Sequence, residues 1–489
     1  MLLELNYHKK RSLSMKEKQW KEHILNDPIL FKLSKLSQER GVPIFLVGGY
    51  LRDILLESHK TLSIPKRVDY DIVIPKENLS IIEIIEKTLG VHLFKVGKEE
   101  TETLTYRAVG KGISIDITPL QGKTIEEDLK RRDFTINSMA LSLFDGQFYS
   151  VEGALEDIQK RRIRSTSPTS IEQDPLRMLR AVRYLCTLEG FQLESEVREE
   201  IASKKASIQN IPSERVKAEL DTILLSPSPA MGIRCLYELG LLFVLIPELK
   251  GLEGLGQNGH HHLKVLPHVF LMLEKIPYAR QWVEEKGKVI SLSPEDLLVL
   301  SYGALLHDLG KQDTYVQDEE GRVHFYQHES FSFERAKVIL ERLRFSNLMR
   351  DRILKLIQNH MRILNLSKNT KDTALKRLIH YMGKETPLLV LHTLADKEAS
   401  RGLLSIEKDE VVESNCLRIL DLLKEKETLS PPPFITGHDV LALGYSPGPR
   451  VGEILREIRE RQIDGELKTR EEALKLLREK FSPPQKEKF

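Results

Sequence analysis

Two glycines and two aspartates, Gly48-Gly49 and Asp69-Tyr70-Asp71, are the residues of this chain whose types and spacing point most directly to chemistry. Side chains alternate along a strand, so Asp69 and Asp71 leave the same face and can hold a divalent cation between them. Gly48-Gly49 ends the apolar run Ile44-Phe45-Leu46-Val47 and precedes the helix-like stretch Tyr50 to Leu56. Unobstructed backbone N–H groups and a helix N-terminus therefore meet where a phosphate can bind. A Gly-Gly pair by itself is commonly a turn, and an Asp-x-Asp by itself a solvated strand edge. In this order the two specify phosphoryl or nucleotidyl transfer.

The elements that must position these groups are readable around them. A second alternating strand, Ile113-Ser114-Ile115-Asp116-Ile117, can pair beside the Asp-x-Asp strand and bring Asp116 next to the first two acids, although one acid on a strand is as readily its solvent face. Further on, Asp174-Pro175 opens a helix on which 174, 177 and 180 fall within about 120°, giving a polar stripe of Asp174, Arg177 and Arg180, while Leu176, Leu179 and Val182 face elsewhere. Asp before Pro is also an ordinary helix cap. Lys160 to Arg183 holds seven Lys/Arg against Glu172 and Asp174, a local field suited to an anionic ligand.

A separate constellation occupies the C-terminal half: Pro267-His268, His307-Asp308-Leu309-Gly310-Lys311, His328-Glu329, His360 and Ala395-Asp396-Lys397. Mixed imidazole and carboxylate donors suit a transition metal better than Mg²⁺. A single histidine on an apolar helix is usually a packed core residue, and His260-His261-His262 reads as a loop.

The 489 residues are enough for roughly two to four domains, and 40% hydrophobic with 30% charged residues describes a globular chain of net charge +2. No run approaches the length of a membrane span and Met1 to Lys18 is charged rather than a signal peptide, so the expectation is a cytoplasmic protein with no membrane partner. Cys186, Cys235 and Cys416 are too few and too far apart for a disulfide framework or a zinc cluster. The expected organisation is an α+β multidomain chain: a charged extension at 1–25, a mixed-sheet head at 26–150, a helical neck at 151–225, a helical body at 226–430 with loops at Lys250 to His262 and Asp313 to Gln327, and a C-terminal helical element at 431–489 after the break Ser430-Pro431-Pro432-Pro433.

The first segment resembles the nucleotidyltransferase superfamily that includes DNA polymerase beta. With Arg52-Asp53-Ile54-Leu55-Leu56 it looks like the bacterial (class II) tRNA nucleotidyltransferases and poly(A) polymerases. Residues 128–141, Asp-Leu-Lys-Arg-Arg-Asp-Phe-Thr-Ile-Asn-Ser-Met-Ala-Leu, match that family's second signature, and Gln173 to Arg183 its third. The resemblance implies a polymerase-beta-like head with Asp69, Asp71 and Asp116 as catalytic acids around two Mg²⁺ ions. It implies a nucleotide site of Gly48, Gly49, Arg52, Arg131, Arg132, Asp133, Asn137, Asp174, Arg177 and Arg180, with Asp174 and Arg177 reading the base edge of incoming CTP or ATP as a protein template. Pro212-Ser213-Glu214-Arg215-Val216 resembles the supporting neck, and Ile435-Thr436-Gly437-His438-Asp439 with Pro447 to Gly452 a C-terminal element that can contact RNA or simply cap the fold.

The histidine constellation resembles the HD metal-dependent phosphohydrolases. It implies His268, His307, Asp308 and Asp396 as ligands, with His328 and His360 nearby, for an ion such as Ni²⁺, Mn²⁺ or Fe²⁺. The implied function is addition of CMP, or CMP and AMP, to the 3′ end of tRNA. The family's flexible loop after the third acid has no room here, because only Thr118 to Glu127 separates Ile117 from Asp128. This implies an enzyme that adds CC, unless Lys98 to Tyr106 substitutes for the loop. The alternatives are a poly(A) polymerase, an HD hydrolase as the main activity, and a non-catalytic RNA-binding module.

Overall fold

A computed structural model describes residues 26–57, 68–97, 104–110, 112–257, 263–400, 406–424, 433–463 and 465–481. The extension at 1–25, His260 to His262, Lys98 to Thr103 and Ser430 to Pro432 lie outside the described residues. The chain divides into two compact units, 1–212 with 238–244, and 213–237 with 245–489.

The first unit is built on a seven-stranded sheet. In chain order its strands are β1 (Phe45–Val47), β2 (Val68–Ile74), β3 (Phe94–Val96), β4 (Thr105–Gly110), β5 (Ile113–Pro119), β6 (Met139–Ser142) and β7 (Phe148–Ser150), and their spatial order is β3-β4-β5-β2-β1-β6-β7. Among the described strands of this sheet only β2 and β5 run parallel, which sets Asp71 directly beside Asp116. On the central strands Leu46, Ile72 and Ile115 are fully buried, so the alternation that fills the core also turns the acids to the other face.

Helix α1 (Pro28–Arg40) begins on Asp27, whose Oδ1 accepts the N–H groups of Ile29 at 2.9 Å and Leu30 at 3.1 Å, and ends on Gly41 at φ 65°. The other oxygen of Asp27 accepts two hydroxyls, Tyr50 at 2.9 Å and Tyr70 at 2.8 Å. Tyr50 belongs to α2 (Gly49–Glu57), which starts immediately after the glycine pair, and Tyr70 lies between the two aspartates of β2. One carboxylate thus ties the helix that follows the glycine turn to the strand that carries the acids. Helices α3 (Ile82–Leu89) and α4 (Ile125–Lys130) follow, and α5 (Arg177–Thr187) buries Met178, Leu179, Ala181 and Val182. Within 151–225 the helical expectation is interrupted by a two-residue strand pair that flanks α5, Arg162–Ile163 beside Gln192–Leu193.

The second unit is helical. Its core elements are α6 (Val265–Glu285), α7 (Pro294–Leu306), α8 (His328–Arg342), α9 (Asn347–Asn359) and α10 (Thr386–Ser400). Ser293 and Asp296 form a reciprocal cap on α7, and α7 over its later turns and α10 nearly throughout are buried on all sides because they lie inside the bundle. The span Asp313 to Gln327, expected as a loop, contains a short hairpin, Tyr315–Gln317 paired with Val323–Phe325. A smaller cluster, Ile435, Val440, Ile454, Ile458, Ala473 and Leu477, forms the core of the C-terminal segment.

Candidate active site

In the first unit the glycine turn and the acids meet. Gly48 sits at φ 77°, and a Cβ there would stand 3.0 Å from Asp71 Oδ2 and 3.5 Å from a guanidinium nitrogen of Arg132. Only glycine admits this approach without strain. Arg132 is steered by Asp128, a buried residue at the end of α4, through Nε at 3.1 Å and Nη2 at 3.0 Å. Burial, reinforced by Asp116 and Asp69 and opposed by Arg132, pushes the Asp71 carboxyl up to about 6. Hard oxygen donors crowded on one face, with repulsion that a cation would relieve, fit Mg²⁺. Asp69 is exposed on the same face. Asp116 is forked by Arg107 of β4, Nε to Oδ1 at 2.7 Å and Nη2 to Oδ2 at 2.6 Å.

Beside this pair runs a second network. Arg52 is buried, donates from Nη1 to Asn137 Oδ1 at 2.7 Å, binds Asp53, and lies 5.2 Å from the ring centre of Tyr184. Asn137 Nδ2 donates to Asp133 Oδ1 at 3.0 Å, and Arg180 Nε donates to Asp133 Oδ2 at 2.8 Å. Burial alone would raise Asp133, but the Arg180 charge and the bonds from Asn137, the Phe134 N–H and Arg180 hold it down at about 2. Arg52, Asn137, Asp133 and Arg180 are therefore one fixed, charged shelf.

The stripe read from α5 is resolved more finely. The helix begins at Arg177 with Leu176 as its cap; Asp174 ends the preceding short helix, Ser170–Gln173, and its Oδ1 accepts Leu176 N at 3.2 Å. Arg177 Nη2 donates to the carbonyl of Arg131 at 2.7 Å and Nη1 to Ser170 Oγ at 2.8 Å, so its guanidinium is aimed rather than loose, and burial lowers its pKa. Arg180 is engaged with Asp133, which separates it from Asp174 and Arg177 as a shelf residue.

The second unit gathers the histidines. His268 comes from α6, His307-Asp308 follow α7, His328 opens α8, His360 caps α9 and Asp396 lies on α10. Distances are 3.2 Å from His268 Nε2 to Asp396 Oδ1, 3.2 Å from His307 Nε2 to Asp308 Oδ2, 3.4 Å from His328 Nε2 to Asp308 Oδ1 and 3.1 Å between the Nε2 atoms of His328 and His360. The Nδ1 atoms of His307, His328 and His360 lie 2.9, 3.0 and 2.7 Å from the carbonyls of Ala304, Phe325 and Ile357. A proton on each Nδ1 leaves Nε2 as a lone pair, and two lone pairs 3.1 Å apart repel unless a cation lies between them. That separation is also what two neighbouring ligands of one ion, each about 2.1 Å away, would show. The donors fit a metal.

Sequence reading missed several residues in both units. Arg107, Asp128 and Tyr184 shape the first. In the second, Lys311 reaches Asp308 Oδ2 at 2.8 Å and His392 stacks edge-on to His307 at 5.3 Å between ring centres. Burial and then the charge of His307 push His392 down to about 3, a neutral ring at the floor of the cluster. Its spacing from Asp396, one helical turn back on α10, is the signal that would have found it.

Residues 44–164 match the family described as Poly A polymerase head domain, residues 190–252 the "Probable RNA and SrmB- binding site of polymerase A", and residues 317–477 the tRNA nucleotidyltransferase domain 2. The chain is 33% identical to an A-adding tRNA nucleotidyltransferase of Deinococcus radiodurans over 88% of its own length and 93% of that protein's. It is 34% identical to a CC-adding tRNA nucleotidyltransferase of Thermus thermophilus over 88% of its length and 92% of that protein's. In fold it is similar to a CCA-adding enzyme in complex with ATP, at TM-score 0.62 and 23% identity over 96% of this chain and 98% of that one. A Thermotoga maritima CCA-adding enzyme complexed with tRNA gives TM-score 0.56 and 23% identity over 94% and 97% of the two chains.

Proposed function

The chain belongs to the family of tRNA nucleotidyltransferases and poly(A) polymerases, and from that membership we propose that it adds CMP from CTP to the 3′ end of tRNA under a protein template and stops after the second cytidine. The observation that carries the chemistry is Asp71, crowded by Asp69 and Asp116 and pressed against Gly48 within reach of Arg132. Enzymes of this kind use divalent metal ions. Mg²⁺ ions held by Asp69 and Asp71 would lower the pKa of the RNA 3′-hydroxyl and neutralise the triphosphate and departing pyrophosphate.

The protein's part is positioning. Gly48 keeps the space beside Asp71 open, Arg132 presents its guanidinium to the phosphates, and the Asp133–Asn137–Arg52 shelf offers fixed polar groups to the ribose. Asp174 and Arg177 read the base. Work on tRNA supports a cytoplasmic location. Incubation with tRNA lacking its 3′ end and each NTP, followed by sequencing of the products, tests the reading: one or two cytidines support it, whereas a long adenosine tail would identify a poly(A) polymerase.

Arg177→Ala should slow addition and also admit UTP and GTP. A site whose polar groups are fixed against a base edge loses selectivity when one partner goes. Equal slowing for all nucleotides, with no misincorporation, would reduce Arg177 to a brace for the Arg131 and Ser170 segments.

The second unit supports a further reading of its own, an HD-type centre binding Ni²⁺, Mn²⁺ or Fe²⁺ through His268, His307, Asp308 and Asp396, with His328 and His360 beside them. His307→Ala should lose stoichiometric metal on elemental analysis after chelation and reconstitution, because it removes one imidazole from the donor set. Metal content equal to that of the unaltered protein would remove the site.

A further inference from the structure

Five residues lie in one register row across the sheet of the first unit: Phe94 on β3, Arg107 on β4, Asp116 on β5, Asp71 on β2 and Val47 on β1. Val47 leads directly into Gly48, so the glycine turn and Arg132 stand on one side of Asp71, and Arg107 stands two strands away on the other. With strands about 4.8 Å apart, the Arg107 backbone is about 10 Å from that of Asp71.

Arg107 is not arranged like a surface ion pair. Both Nε and Nη2 are locked in a bidentate fork on Asp116, at 2.7 and 2.6 Å, which fixes the plane of the guanidinium. Nη1 has no hydrogen-bonding partner among the described residues, and the side chain is 42% exposed. The same fork occupies both oxygens of Asp116, so a metal ion would have to share them with a cation already in place.

In-line nucleotidyl transfer puts the leaving pyrophosphate and the attacking hydroxyl on opposite sides of the transferred phosphorus. With the triphosphate over the glycine turn, the end of the RNA arrives from the β4 side, where its last phosphodiester comes within the reach of an arginine. We propose that Arg107 grips the terminal phosphodiester of the RNA being extended, and that Asp116 serves as a positioning residue that aims Arg107 instead of ligating metal. This rests on the transferase reading above.

The test is steady-state kinetics on full-length protein with tRNA lacking its 3′ end. Arg107→Gln should raise the KM for tRNA about tenfold and leave the KM for CTP and the half-saturating Mg²⁺ concentration within about twofold. It should also lower the slope of log KM for tRNA against log salt by about one. Asp116→Asn should do the same, and the double variant should be no worse than either single one, since both break one device. Arg107→Lys, which keeps the charge without the fork, should fall between, and this separates loss of contact from loss of fold. A rise in the KM for CTP would move Arg107 to the triphosphate. A higher Mg²⁺ requirement for Asp116→Asn alone, or additive losses, would make Asp116 a metal ligand. Either result overturns the assignment while leaving the transferase intact; no nucleotide addition by the unaltered protein would defeat the transferase reading itself.

Discussion

Replacing Asp69 and Asp71 together by Ala should lower nucleotide incorporation by several orders of magnitude while leaving tRNA affinity nearly unchanged. The two carboxylates share one strand face, and in the proposed reaction their loss removes the oxygen donors that would hold Mg²⁺. A drop of about 10⁴ corresponds to about 5 kcal/mol of transition-state stabilisation, within what loss of a metal centre can cost. Binding of RNA depends instead on arginines and lysines and should persist in a filter-binding assay. Near-normal incorporation by the double variant would eliminate the metal assignment. The pH dependence carries the same signature. Asp71 stands at about 6 without a bound cation, raised by burial and by its acidic neighbours. Below that pH the carboxyl is protonated and must lose its proton to take metal, and above it the donor is ready. The Mg²⁺ concentration for half-maximal rate should therefore rise as pH falls from 7 through 6, and a flat profile would count against Asp71 as a ligand.

The protein should also add two cytidines and then stop, with ATP incorporation hundreds of times slower than that of CTP. The reason lies in the connection after β5. Pro119 ends the strand and Ile125 begins α4, so only Leu120 to Thr124 lie between them. Those residues are tied down: Gln121 N donates to Asp128 Oδ1 at 3.0 Å, Lys123 N to Glu127 Oε2 at 2.7 Å, and Glu127 N to Thr124 Oγ1 at 3.4 Å. Gly122 at φ 100° turns the chain, and a Cβ there would strike the Glu127 side chain at 2.7 Å. Nothing in this turn is long or loose enough to reshape a pocket. A template that cannot be re-aimed keeps its preference for one base, and about 3 kcal/mol between the two is enough for a factor of hundreds. Relatives of A-adding and CC-adding kind are almost equally similar, 33% and 34%, so the turn, not the identity, carries this expectation. Efficient addition of one adenosine to tRNA ending in CC, from ATP alone, would show that another segment supplies the switch.

Much of this was legible in the chain because strand and helix periodicities are local. Alternation placed Asp69 and Asp71 on one face, and the break at Gly48-Gly49 announced the turn. The pairing of Arg107 with Asp116 was also within reach, since counting outward from Gly110 opposite Ile113 gives it in three steps. It was missed because an arginine on a strand looks like any solvent-facing residue until its partner strand is known. The bond from Arg180 to Asp133, 47 residues apart, follows no period at all. Nor does the carbonyl of Arg131 that aims Arg177, because a backbone acceptor has no residue type to recognise. The cap of α5 fell two residues later than Asp174-Pro175 suggested, since the short helix before it claims Asp174 as its end. In the second unit the order of the candidate donors along the chain was readable, but not that a buried ring, His392, would pack edge-on against His307.

The carboxylate of Asp27 bears on how such a sequence can drift. Tyr50 and Tyr70 are each one step from phenylalanine, and either change removes one donor from an acceptor that keeps the other, a loss of about 1 kcal/mol that a lineage can absorb. A change at Asp27 strands two hydroxyls, one on the strand of the acids and one on the helix after the glycine turn, together with two N–H groups of α1. Descendants can therefore vary the tyrosines first and the aspartate only afterwards, so the order of substitutions is constrained even though Asp27 touches no substrate.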